Sequence, residues 1–212
     1  MAGPHDDQSL LTAGTSLEDA TGAMVLVHGR GDSAHGILRA MDPLHRDGLA
    51  MLAPQAAGNA WYPHSFLEPV ERNEPGRSSG LDAIDRAVSG AVDAGVSASR
   101  TVLLGFSQGA CLASEFVARR PRRYGGLAAL SGGLIGATVA DEEYDGTVDG
   151  MPVFLGCSDV DPHIPVERVR QTADVFVDLG AEVTTEIYEG MGHTVNSDEM
   201  RQVENLVDDA MD

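Results

Sequence analysis

Thr101-Val102-Leu103-Leu104-Gly105-Phe106-Ser107-Gln108-Gly109-Ala110 joins a short apolar run to a helix-forming segment through a serine bracketed by glycines. A strand that ends, a backbone that turns sharply and a helix that begins with a serine at the apex make a nucleophile elbow. Gly105 and Gly109 stand two residues to either side of Ser107, where a side chain would crowd the strained turn. The five-residue pattern recurs by chance in many chains. The strand–turn–helix setting is what singles this copy out as a nucleophile.

Outward from that stretch the chain alternates. Ala23 to Val27 is an apolar run between Gly22 and His28-Gly29 and reads as a buried strand. Asp32-Ser33 can cap a helix running to about Arg46, with Ile37, Leu38, Met41 and Leu44 on one face. Leu49 to Ala53 is a second short strand, and Pro54 to Gly80 is long and irregular. Ser79 to Ala94 has helical spacing, Thr101 to Phe106 is a strand, and Ser107 to Arg120 is a helix ended by Pro121. Leu127 to Leu130, Pro152 to Cys157 and Glu182 to Tyr188 read as strands. Val166 to Leu179, stopped by Gly180, and the amphipathic stretch Ser197 to Ala210 read as helices. Strands alternating with helices predict an α/β fold, a mostly parallel sheet with helices on both faces. All 212 residues are read as a single domain. Ser131 to Gly150 is too short for a separate lid domain, so the serine should stand open to substrate.

Composition sets the class. The apolar share of 42% suits a globular chain with a sizeable core. No window approaches the length of a membrane span, and the acidic first twenty residues do not read as a secretory signal. Net charge is −19, from 33 acidic residues against 14 basic ones, and every basic residue is Arg. Such a surface repels nucleic acid and anionic membranes. It also suits a halophilic protein of a salt-loaded cytoplasm, because at molar salt the Debye length shrinks to about 3 Å and self-repulsion is screened. The two cysteines, Cys111 and Cys157, lie in apolar contexts and read as reduced core thiols.

A serine hydroxyl is a poor nucleophile unless a base takes its proton and an acid orients the base. In this architecture the order along the chain is nucleophile, acid, base. The acid lies in Gly156-Cys157-Ser158-Asp159-Val160-Asp161-Pro162, just past a strand. Asp161 is favoured, since it sits later in the loop with Pro162 fixing the backbone after it. Asp159 is the rival, otherwise a turn carboxylate bonding nearby amides. His193, in Glu189-Gly190-Met191-Gly192-His193-Thr194, follows the last strand in a glycine-rich loop that can aim an imidazole. The oxyanion needs two donors. The backbone amide of Gln108, at a helix N-terminus, is one. The other is the backbone amide of Arg30, in His28-Gly29-Arg30-Gly31-Asp32. The Arg30 guanidinium itself reads either as reaching an acidic substrate or as pairing with a surface carboxylate.

Four stretches together resemble the phospholipase/carboxylesterase family of α/β-hydrolases, which includes acyl-protein thioesterases. They are Leu26 to Asp32, Gly105 to Ala110, Asp161-Pro162-His163-Ile164-Pro165 and Gly192-His193. The resemblance runs from about residue 23 onward. It implies Ser107, Asp161 and His193 as the triad and the amides of Arg30 and Gln108 as the oxyanion hole. The chain departs from the thioesterase members around Trp61-Tyr62-Pro63, the region that would line the acyl pocket, which argues against a long lipid acyl group. Trp61 and Tyr62 are read as substrate-binding, a wall beside the serine; the alternative is a flap whose aromatics cover the core.

The expectation is a serine carboxylesterase acting on small esters, with no cofactor and no metal. An acyl thioesterase or peptidase of the same fold is the nearest alternative, and a non-catalytic binding protein is the distant one. His28, Asp32 and His35 do not make a metal site: the first two belong to the oxyanion loop and the third to a helix. Gly132 to Gly136 lacks the dinucleotide-binding pattern. Cys111, one helical turn past Ser107, reads as core. The last helix should pack on the sheet, with a homodimer interface as its minority reading.

Overall fold

The computed structural model describes residues 3–139 and 143–212. Seven strands form one sheet: β1 (Leu10–Gly14), β2 (Gly22–Val27), β3 (Leu49–Pro54), β4 (Thr101–Phe106), β5 (Gly126–Leu130), β6 (Pro152–Ser158) and β7 (Glu182–Tyr188). Their order across the sheet is β1-β3-β2-β4-β5-β6-β7, with only β1 antiparallel to its neighbour. Each central strand from β2 to β5 is buried almost throughout, as sheets covered on both faces require.

Five helices do the covering: α1 (Ala34–Ala40), α2 (Gly76–Asp93), α3 (Gln108–Arg119), α4 (Val166–Asp178) and α5 (Ser197–Met211). Side chains alternate across a strand, so each strand feeds two cores. On one face Val25, Val27, Leu103 and Ala129 pack with Ile84 and Val88 of α2, Leu112 and Phe116 of α3, and Val169 and Phe176 of α4. On the other, Met24, Leu26, Val102 and Leu104 pack with Ile37 of α1 and Val203, Leu206 and Val207 of α5. The last helix therefore spends its apolar side on the sheet. Among the described residues no helix is long and apolar enough to cross a membrane.

Three elements differ from the sequence expectation. The first helix stops at Ala40 rather than near Arg46, because Pro43 forces a separate 3-10 turn over Asp42–Leu44. Leu44 is still buried, so the apolar spacing persisted across the break. Helix α2 begins at Gly76, inside the stretch expected to be irregular. Strand β1 carried no periodic signal, since only Leu11 of its five residues turns toward the core.

Candidate active site

The three residues expected to act together come from three strand ends. Ser107 stands between β4 and α3, with φ 56° and ψ −121°. This backbone costs about 1–3 kcal/mol for a residue with a Cβ and lifts Oγ away from the sheet. Its amide donates to Leu130 O at 2.9 Å, and its carbonyl accepts from Cys111 N at 3.1 Å, which fixes the turn from both sides.

Asp161 lies in the loop after β6, its side chain fully buried. Oδ1 accepts from the amides of His163 (2.8 Å) and Ile164 (3.0 Å). Oδ2 lies 2.7 Å from His193 Nδ1. Burial alone would raise its pKa, but the His193 hydrogen bond and the two amides outweigh it and hold the carboxyl below the usual value. His193 then completes a chain, with Nε2 2.9 Å from Ser107 Oγ. Because Asp161 is ionised, Nδ1 carries the imidazole hydrogen and donates to Oδ2, leaving Nε2 to accept from the serine.

Asp159, the rival acid, lies elsewhere. Its Oδ1 accepts from Gly190 N at 2.7 Å, and Ser158 Oγ accepts from Gly192 N at 3.0 Å. Gly190 and Gly192 both have φ near +70° (65° and 77°), a region that suits glycine. Two residues at the end of β6 thus moor the loop that carries His193, a role for Asp159 that its turn-forming reading came close to. Asn196 closes the same loop by capping α5: its Oδ1 accepts from the amides of Asp198 and Glu199, and Glu199 Oε2 accepts from Asn196 N.

The loop after β2 reaches the serine as expected. A Cβ built on Gly29 would sit 3.5 Å from Ser107 Cβ, so the loop backbone lies directly against the elbow. The amides of Gly31 and Asp32 are taken by Asn59 O and Gly29 O, whereas that of Arg30 has no acceptor among the described residues. Gln108 is the first residue of α3, where an amide has no intrahelical acceptor. The Arg30 guanidinium lines the cavity and makes no ion pair with a surface carboxylate among the described residues. It donates to the carbonyls of Tyr62 (2.7 Å), Pro63 (3.2 Å) and His64 (2.8 Å).

A cavity of about 560 Å³ opens over Ser107 and His193. Tyr62 lines it, with Phe66, Phe106 and Ile164 as further apolar wall. Trp61 does not: it is fully buried behind the wall. Its ring sits 5.3 Å from that of His5 and 4.9 Å from that of His28, and its Nε1 donates to His28 O at 2.8 Å. A lone tryptophan in a long loop carried no sign of which way it would point. His163 was quoted only as part of a motif; its ring meets His193 edge-on at 4.9 Å on the cavity rim. Cys111 is at the cavity floor but buried, and desolvation pushes its thiol up to about 12. Cys157 is pushed to the same value by burial and the neighbouring Asp161 charge. Both are protonated thiols and not competing nucleophiles.

His5 and His28, on either side of Trp61, are buried and neutral. Each accepts a backbone hydrogen bond, His5 Nδ1 from Ala57 N and His28 Nε2 from Ala56 N. Desolvation lowers both pKa values from 6.5, against a smaller opposing pull from the carbonyls of Trp61 and Gly29. The folded state therefore binds fewer protons than the unfolded one below that pH. The stabilisation is complete above pH 6.5 and is lost as pH falls through it toward the depressed folded-state values. The slope for each group has a ceiling of about 1.4 kcal/mol per pH unit. Urea midpoints measured from pH 8 to 5 at constant molar salt test this, with His5→Gln expected to flatten the decline. An equally steep decline in that variant would remove His5 from the account.

A sheet of this order with a strained serine between β4 and α3 defines an α/β-hydrolase. Residues 15–210 match the Phospholipase/Carboxylesterase family, and the chain belongs to it. It is an enzyme of the serine hydrolase kind that cleaves ester bonds. Among solved structures it is similar to a phospholipase/carboxylesterase from Dyadobacter fermentans, with 38% identity and a TM-score of 0.92 over 98% of this chain and 99% of that one. Among curated proteins it is 25% identical to acyl-protein thioesterase 1 of Saccharomyces cerevisiae, over 93% of this chain and 96% of the relative. It is 27% identical to the acyl-protein thioesterase 1 of Gibberella zeae, over 87% and 88%.

Proposed function

We propose that this enzyme hydrolyses small carboxylic esters through an acyl-serine intermediate, with Ser107, His193 and Asp161 as its triad. The observation that carries the reading is the unbroken hydrogen-bond chain from Ser107 Oγ through the His193 ring to Asp161 Oδ2. Ser107 Oγ attacks the ester carbonyl carbon as His193 Nε2 takes its proton. The carbonyl oxygen becomes an oxyanion that accepts from the amides of Arg30 and Gln108. Collapse of the tetrahedral intermediate expels the alcohol, which takes the proton back from Nε2. Water, deprotonated by the same nitrogen, then attacks the acyl-serine and releases the acid. Asp161 stays ionised throughout and stabilises the imidazolium.

A cavity of about 560 Å³ falls within the range of small-molecule sites. The fungal relatives named as acyl-protein thioesterases favour a second reading, the same mechanism on an acyl thioester. The acidic, Lys-free surface supports work in a salt-loaded cytoplasm. The test, at molar salt, is labelling by a fluorophosphonate probe together with turnover of short-chain nitrophenyl esters, acyl thioesters and peptide amides. Wild type should be labelled and Ser107→Ala should not, with nitrophenyl butyrate turned over fastest. Equal labelling of both proteins would end the reading; faster thioester turnover would move it to the second.

A further inference from the structure

Two side chains from separate elements grip one short segment. Arg30, in the loop after β2, donates to the carbonyls of Tyr62, Pro63 and His64. Gln108, at the start of α3, donates from Nε2 to the same Tyr62 carbonyl at 2.9 Å and accepts from Trp61 N at 2.9 Å through Oε1. The segment is anchored behind by the bond from Trp61 Nε1 to His28 O. Arg30 forms no ion pair among the described residues, so its fork is spent on this one segment. Gln108 is buried, and Arg30, though exposed, is held by three carbonyls at once, so its planar fork needs little further ordering.

We propose that the Arg30 and Gln108 side chains are positioning residues. By sharing the Tyr62 carbonyl they tie the loop after β2 to the start of α3. That tie sets the separation of the two backbone amides assigned above to the oxyanion. The inference rests on that oxyanion-hole reading. Each residue then works twice: its amide faces the reacting oxygen, and its side chain fixes where the other residue's amide stands. Among the described residues, the Tyr62 carbonyl is the one atom to which both side chains bond. Without the tie each amide remains, but the pair loses its register on an oxygen that must meet both at once.

The experiment compares Arg30→Met, Gln108→Met and the double variant, which all keep both amides. Arg30→Lys and Gln108→Asn serve as milder versions that should fold if the first set does not. Readouts are kcat and KM on nitrophenyl butyrate, affinity for an alkyl boronic acid that adds to Ser107 as a tetrahedral adduct, and Tm. Displacement of a reacting group by about 1 Å can cost 100-fold, so each Met variant should lose about 10- to 100-fold in kcat. KM should change by less than about threefold, and boronate affinity should fall in step with kcat. The double variant should be no more than about threefold below the worse single one, since both act on one carbonyl. Arg30→Lys should be intermediate, because an ammonium is a point donor where the guanidinium is a fork. Folded variants with kcat within twofold of wild type, a change in KM alone, or losses that multiply would each overturn the proposal. If wild type is not labelled by the fluorophosphonate, the parent reading fails; if it is labelled and the variants match it, only the clamp fails.

Discussion

Asp161→Asn is expected to lower kcat by about 10⁴, nearly as much as loss of the base itself, while leaving the fold in place. The reason lies in what the carboxylate already holds. Oδ1 accepts from two amides, those of His163 and Ile164. In the variant, the amide oxygen must stay there, since an NH₂ facing two N–H donors would repel them. The NH₂ then points at His193 Nδ1, which can only accept. The imidazole hydrogen moves to Nε2 and faces Ser107 Oγ, so the ring can no longer take the serine proton. Ser107→Ala and His193→Ala should each cost on the order of 10⁴–10⁶ in kcat, and the double variant no more than the worse of the two. Asp159→Asn is the control. Its amide oxygen can still accept from Gly190 N, so kcat should stay within a few-fold. Steady-state rates on nitrophenyl butyrate decide: Asp161→Asn within tenfold of wild type would remove it as the orienting acid.

How far these residues were legible in the chain differs from one to the next, for physical reasons. Ser107 and strand β4 could be read because a parallel core strand is a continuous apolar run and a strained elbow demands glycine beside it. Asp161 and His193 could be read from position, since each follows its own strand in the order this chemistry uses. Trp61 could not. Whether an indole in an irregular loop faces a cavity or a core is decided by partners distant in sequence, here His5 and His28. Arg30 shows the same limit. Its backbone amide was suggested by the local glycine-rich loop, but its guanidinium bonds carbonyls more than thirty positions away. Strand β1 was invisible because an edge strand with one inward residue leaves no pattern.

Gly109→Ala should damage both stability and turnover, and through backbone packing alone. A Cβ on Gly109 would lie 2.0 Å from Val27 O, 2.5 Å from Val27 C and 2.6 Å from His28 O. All three are backbone atoms of the end of β2 and the loop beyond it, so no rotamer can yield. Helix α3 must back away from the sheet, carrying Ser107 and Gln108 with it, while Arg30 stays with β2. The nucleophile and the two oxyanion amides then separate together. Overpacking a tight core costs about 1–3 kcal/mol and sometimes more, and a clash with rigid backbone belongs at the upper end. The expected result is a Tm lower by several degrees and a kcat lower by at least about 100-fold. Gly90→Ala gives the opposite sign from the same chemical change. Gly90 lies in α2 with nothing within 4 Å of the added carbon, so the variant should gain about 0.5–1 kcal/mol by restricting the unfolded chain. Thermal melts and nitrophenyl butyrate rates on the two proteins separate the causes. Gly109→Ala with wild-type kcat would mean that α3 tolerates displacement from β2, and that the elbow does not depend on this contact.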